Sequence, residues 1–116
     1  MIYKTFSAGQ TKKMAGLLAK NAVKFRRPNK NALVLALAGE LGASKTAFAQ
    51  GFLKGIGVKK KIASPTFVLI KNYKLKIKNY KLAYHIDCYR IHKPEELLRL
   101  GLKEILNNSQ NIVLIE

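Results

Sequence analysis

This 116-residue chain predicts an α/β fold, a central sheet of mixed strand direction covered by helices. Three observations carry the prediction. An apolar run, Ala32 to Ala38, is followed by a glycine-bearing turn and a helical pattern, the strand–turn–helix order of α/β domains. Two strand-like runs, Thr66 to Tyr73 and Lys81 to Tyr89, are joined through a lysine-rich turn and read as a hairpin. A last apolar strand, Ile112 to Ile115, follows a helical segment that opens at Pro94. With 48% hydrophobic residues the chain can bury one core but hardly two, so a single domain over residues 1–116 is expected.

Taken in order, Ile2 to Phe6 alternate weakly and suit a short strand. Ser7 and Gln10 form a capping box before a helix from Thr11 to Val23, with Met14, Leu17, Leu18 and Val23 on roughly one face. Lys24 to Asn31, with Pro28, connects to a strand, Ala32–Ala38, whose continuous apolar run predicts full burial. The second helix should run from Lys45 to about Leu53, turning Phe48, Phe52 and Leu53 toward the sheet, and Gly55 and Gly57 end it. Pro65 holds Ser64 extended, so the hydroxyls of Ser64 and Thr66 project from a fixed loop. The segment KNYKL occurs at Lys71 and again at Lys78, which a hairpin explains better than a repeat architecture. In the hairpin's second strand, Ala83, His85, Asp87 and Tyr89 share the face opposite Leu82, Tyr84, Ile86 and Cys88. Pro94, Glu95 and Glu96 make a helix start in which the carboxylates favour the positive end. Leu97, Leu98, Leu100, Leu102, Ile105 and Leu106 form that segment's apolar side, with Gly101 breaking it and Asn107 to Asn111 turning into the last strand.

Composition bounds the function. There are 22 Lys and Arg against 6 Asp and Glu, a net charge of +16. Basic clusters at Lys24–Lys30, Lys59–Lys61 and Lys71–Lys81 fit an RNA or other polyanion and fit equally a surface that defaults to lysine, so basicity alone names no ligand. Cys88 stands alone, which excludes an internal disulfide and a cysteine-rich zinc site and suits a reducing compartment. The longest apolar run falls far short of a membrane span, and a cytoplasmic protein is expected. Of the six acids, Glu95, Glu96 and Glu104 belong to one helical segment. Glu40, Asp87 and Glu116 sit in a loop or on strand-like runs and are the ones to explain.

Gly39, Glu40, Leu41, Gly42, Ala43, Ser44, Lys45 and Thr46 nearly match the phosphate-binding pattern GxxxxGK[ST]. Such loops work because amides left unpaired at a helix start point outward and carry partial positive charge. Ser44 replaces the glycine before lysine. It either adds a hydroxyl donor or strains the cradle by roughly 1 kcal/mol or more. Glu116, directly after a four-residue apolar strand, has the place of a Walker-B-type metal or water ligand, although strand ends are often polar in any case.

In order, GELGASKT (Gly39–Thr46), QGFLKGIGV (Gln50–Val58), SPTFVL (Ser64–Leu69), YHIDCYRI (Tyr84–Ile91), PEELLRLGL (Pro94–Leu102) and IVLIE (Ile112–Glu116) span nearly the whole chain. Together they closely resemble the TsaE (YjeE) family, P-loop ATPases of bacterial tRNA threonylcarbamoyladenosine synthesis. The SPTF and HxDxYR pieces make the resemblance far more specific than a phosphate loop by itself. It implies a P-loop NTPase-like three-layer sandwich, C-terminally shortened, that binds ATP and Mg2+. Lys45 would neutralise the β and γ phosphates, Thr46 would hold magnesium, and the amides of Gly42 to Thr46 would wrap the phosphates. Thr66 would sense the γ phosphate or the metal. Asp87 would orient water or serve the magnesium side, and Glu116 would be a magnesium ligand. For His85 and Arg90, packing or hairpin support stands beside catalysis, and Tyr89 is expected to be structural. The implied partners are TsaB and TsaD, with tRNA reached through that assembly.

Two departures from the family pattern bear on activity: Ser44, and a sequence that stops at Glu116 where family members continue through a tryptophan and further strands. They lead us to expect an exposed strand edge, open to self-association, reduced stability, weaker nucleotide binding and slow or absent hydrolysis. A non-hydrolysing scaffold or tRNA-contacting protein of the same fold stays open as the alternative. A small-molecule kinase is weaker for want of an evident acceptor lid.

Overall fold

The computed structural model describes residues 7–24, 30–37, 42–60, 70–88 and 93–116. The chain divides into two compact units, Met1–Arg26 with Gly39–Ser64 and Arg27–Ala38 with Pro65–Glu116. The expected strand at Ile2–Phe6, the connection through Pro28 and the Ser64–Pro65–Thr66 loop lie outside the described residues.

The first unit pairs two helices, α1 (Ala8–Lys24) and α2 (Gly42–Gly55). Ser7 caps α1: the Gln10 amide donates to Ser7 Oγ at 3.2 Å. The Thr11 amide and hydroxyl both donate to the Ser7 carbonyl at 3.0 Å. These bonds draw the helix start back to Ala8 from the expected Thr11.

The α1 seam differs from expectation. Thr11, Ala15 and Ala19 are its buried residues, whereas Leu17 is 61% exposed. Small residues win because the helices nearly touch. A methyl at Gly51 would run into the Lys12 backbone, and one at Gly55 would lie 2.7 Å from the Gly16 carbonyl oxygen. Helix α2 ends as glycine dictates. Gly57, at φ +96°, donates its amide to Lys54 O at 3.0 Å and Val58 donates to Leu53 O at 3.0 Å, the paired bonds of a Schellman motif.

The second unit is a four-stranded sheet in the order β1-β4-β3-β2, with β1 Leu33–Ala36, β2 Ile70–Ile77, β3 Tyr80–Ile86 and β4 Asn111–Ile115. Strands β1, β4 and β3 run parallel, and β2 is antiparallel to β3. The sheet is therefore mixed, as expected. The hairpin sits further along the chain than predicted. β2 runs on to Ile77, and the turn is Lys78–Asn79, where Asn79 takes φ +75°, a conformation asparagine tolerates. Lys74 and Lys76 point to solvent from a strand, so their charge marks an exposed face and not a turn.

Strand β1 is a second correction. Its seven apolar residues suggested full burial, yet β1 lies at an edge of the described sheet and alternates, with Val34 44% exposed. Strand β4, between two parallel neighbours, is buried from Asn111 to Leu114, as such strands are.

Helices α3 (Pro94–Arg99) and α4 (Leu102–Leu106) form the crossover that parallel β3 and β4 require. Pro94 opens α3 with Glu95 and Glu96 in its first turn, and Gly101, at φ +89°, breaks the run as predicted. Leu97, Leu102, Ile105 and Leu106 pack on Ile86 and Val113. Leu98 and Leu100, expected on the same side, are exposed, because the break at Gly101 turns them off the sheet. The Asn111 side chain ties this layer to the sheet, its Nδ2 donating to the Ile105 carbonyl at 2.9 Å in a buried position.

Candidate functional site

In a sheet of parallel strands, ligands gather beyond the carboxyl ends of the strands, where side chains and free amides are not committed to the ladder. Here the carboxyl ends of β1, β4 and β3 lie along one edge. Asp87 follows β3 and Glu116 follows β4. The ladder continues through both: the Glu116 amide donates to Ile86 O and the Cys88 amide to Glu116 O, each at 2.8 Å. The chain leaves β1 at the same edge, where Leu37 donates its amide to Ile115 O at 2.7 Å, and enters the glycine-bearing stretch that ends at Gly42.

Asp87 and Glu116 are thus brought to neighbouring strand ends, and both are withdrawn from solvent: Asp87 is 7% exposed, as is the Glu116 side chain. His85, two residues before Asp87 on the same face, is fully buried, with Nε2 3.2 Å from Glu116 Oε1. That contact is an ion pair only when the imidazole carries its second proton. Its direction does not make a hydrogen bond, and neither ring nitrogen of His85 nor Glu116 Oε1 has a hydrogen-bond partner among the described residues. The neighbouring thiol senses the same setting. Desolvation, with the Asp87 carboxylate adding to it, raises the Cys88 pKa above its ordinary value.

A buried carboxylate oxygen without a donor fits a hard cation, and Mg2+ is typically held by one or two carboxylates together with phosphate oxygens and water. Among the described residues no three His, Cys, Asp or Glu side chains gather into a metal cage.

In the other unit, Gly42 is the first residue of α2, which places the backbone of Gly42, Ala43 and Ser44 in a first turn that holds no acid. Their amides belong to the group a helix start leaves unpaired. Lys45 is 7% exposed and Thr46 half-buried. Glu40, Leu41 and Thr66 lie outside the described residues. The His85–Glu116 contact was missed in the sequence. The alternation of β3 put His85 on the right face, but only the β3–β4 register shows that Glu116 is its neighbour.

The family model of the threonylcarbamoyl adenosine biosynthesis protein TsaE matches residues 6–116. The chain belongs to the TsaE family. Relatives named as TsaE tRNA threonylcarbamoyladenosine biosynthesis proteins include one from Rickettsia felis, 42% identical over 92% of this chain and 56% of its own length. Another, from Bacillus subtilis, is 37% identical over 98% of this chain and 64% of its own length. The crystal structure of Bacillus subtilis YdiB is similar at a TM-score of 0.67 and 31% identity, covering 97% of this chain and 62% of YdiB. The chain thus spans a little over half to about two thirds of the length of these proteins. Among the described residues no helix is long and apolar enough to cross a membrane.

Proposed function

We propose that the chain is an ATP-binding and ATP-hydrolysing subunit that serves threonylcarbamoyl modification of adenosine in tRNA, acting with TsaB and TsaD partners. The observation that carries this reading is the pair of buried carboxylates, Asp87 and Glu116, at adjoining parallel strand ends, with β1 feeding the phosphate-loop sequence from that same edge.

In this reading the first-turn amides of α2 receive the phosphates, where the helix dipole favours negative charge. The Lys45 ammonium neutralises the terminal phosphates and the Thr46 hydroxyl is offered to the metal. Glu116 supplies a carboxylate to Mg2+, directly or through water, while Asp87 orients the attacking water. Bound Mg2+ supplies charge neutralisation on the phosphates, and positioning plus charge is most of what phosphoryl transfer asks of a protein.

Equilibrium titration of a fluorescent ATP analogue with Mg2+, compared between the unmodified chain and Lys45→Ala, tests the reading. A hydrogen bond to a charged group is worth about 1.5–3 kcal/mol, so the variant should bind roughly 10–150-fold more weakly. Equal binding by both proteins would remove the phosphate loop from the mechanism. Binding that is normal without any phosphate release would favour the non-hydrolysing scaffold.

A further inference from the structure

The packing of α1 on α2 leaves a groove of about 1160 Å³ along the first unit. On the α1 side, Lys12, Gly16 and Lys20 follow one another at four-residue spacing, with Lys13 and Leu17 alongside. On the α2 side, Lys54 precedes Lys59 and Lys60. Four residues apart on one helix, Lys12, Gly16 and Lys20 share a face, and the six lysines of the groove are all exposed. Gly51, Gly55, Gly57 and Val58 also line the groove, and the glycines put no side chain between the lysines.

Local helix electrostatics explains only part of the arrangement. Lys54 lies in the last turn of α2, where the helix dipole favours a cation. Lys12 and Lys13 lie just past the first turn of α1, toward the end that favours acids, and that turn has none. Nor is the array built to neutralise itself. The only carboxylate in residues 1–26 and 39–64 is Glu40. From Lys12 to Lys20 the wall runs about 12 Å at the rise of an α-helix, long enough to meet several backbone phosphates.

We propose that this groove binds the phosphate backbone of RNA, so that the chain contacts tRNA directly and not only through its partners. The choice of RNA among polyanions rests on the tRNA-modifying reading above; the groove and its charge do not.

The test is RNA binding by the whole chain as a function of salt. Log affinity falls with log salt by about 0.7 to 0.9 per phosphate contact. Lys12→Gln, Lys13→Gln and Lys20→Gln combined should therefore lower the slope by about two to three units and weaken binding of a tRNA transcript at least tenfold. Glutamine is a good helix former, and an unchanged Tm checks that the helix survives. Lys74→Gln, Lys76→Gln and Lys78→Gln combined remove the same charge from the β2–β3 hairpin and should leave the slope within one unit of the parent. Equal losses in the two variants would mean diffuse attraction to a basic protein and would overturn the proposal. So would undiminished tRNA binding by the groove variant. If that variant kept tRNA but lost poly-glutamate, the groove would belong to an acidic protein partner and the RNA assignment would fall. Lys45→Ala should leave RNA binding intact, which separates failure of this proposal from failure of the nucleotide reading.

Discussion

Replacing Gly55 by alanine sets two effects of comparable size against each other. Alanine is favoured over glycine inside a helix by up to about 1 kcal/mol, and less than that at Gly55, the last residue of α2. Against this gain, the new methyl would lie 2.7 Å from the carbonyl oxygen and 2.8 Å from Cα of Gly16, both backbone atoms, and 3.1 Å from Ala19 Cβ. Ordinary contact begins at 3.4 Å, so α1 and α2 must part by about 0.7 Å. A gap of that order forfeits a quarter to a half of the dispersion attraction at the contacts around it. Overpacking of this kind costs roughly 1–3 kcal/mol, and the net destabilisation should be about 1–2 kcal/mol. Gly16→Ala is the matched control. Its methyl would meet the Gly51 carbonyl oxygen at an ordinary 3.5 Å from mid-helix, so it should stabilise by about 0.5–1 kcal/mol. Urea unfolding followed by far-UV circular dichroism, with m-values compared to confirm that the unfolded states match, reads both. A Gly55→Ala protein as stable as its parent would refute the close approach of the two helices, and with it the geometry of the lysine-walled groove.

Three further outcomes follow from buried or strained positions. Asn111→Ala should cost about 1–3 kcal/mol in urea unfolding, because the Ile105 carbonyl loses a buried donor at 2.9 Å; Asn111→Asp should cost at least as much, since a carboxylate cannot donate. Gly101→Ala should cost about 1–2 kcal/mol in the same assay, the usual penalty for an L-residue in the left-handed region where Gly101 sits at φ +89°. Burial raises the Tyr73 pKa above its ordinary 10.0. Its stabilising share is therefore fully present below pH 10 and is lost as pH rises through the folded pKa, because the unfolded chain ionises first. Thermal melts of Tyr73→Phe and the parent should differ by a constant amount up to about pH 9.5 and converge in favour of the variant above pH 10.

How legible this was from sequence depended on which signal was asked to decide. The Gly101 break, the Pro94 helix start, the Gly57 stop and the Ser7 cap were readable because each rests on one residue's backbone chemistry. The hairpin was found but misplaced. Lys74 and Lys76 read as turn residues by charge, although their alternation with Leu75 and Ile77 was the better guide to a strand. Leu17 was placed with Met14, Leu18 and Val23 on one apolar face by hydrophobicity, whereas the α1–α2 seam selects small residues, a preference that only the partner helix reveals. Full burial of β1 was read from its apolar run, but edge or centre is a property of strand order, which no single strand encodes. For the site, Asp87 and Glu116 were both singled out in advance. What the sequence did not contain was their adjacency and the His85 contact, which come from the β3–β4 register.

The placing of the acids is itself an argument for function. In a chain with a net charge of +16 and only six carboxylates, self-repulsion among the lysines would be best relieved by acids at the surface. Glu95, Glu96 and Glu104 do sit in the first turns of α3 and α4, where a helix start rewards them. Asp87 and Glu116 do the reverse. They are buried at strand ends, where an ionised carboxylate loses hydration that must be made good by a partner. Among the described residues the partner at hand for Glu116 is His85, 3.2 Å away and poorly directed, which compensates little of that loss. Stability alone would favour an apolar residue in such a place, since isosteric apolar replacement of a buried ion pair is often neutral or stabilising. On the function proposed above, a bound cation makes good that loss, and Glu116→Gln tests this: Mg2+ should raise the affinity for ATP far less in the variant, while affinity without Mg2+ stays within a few-fold of the parent.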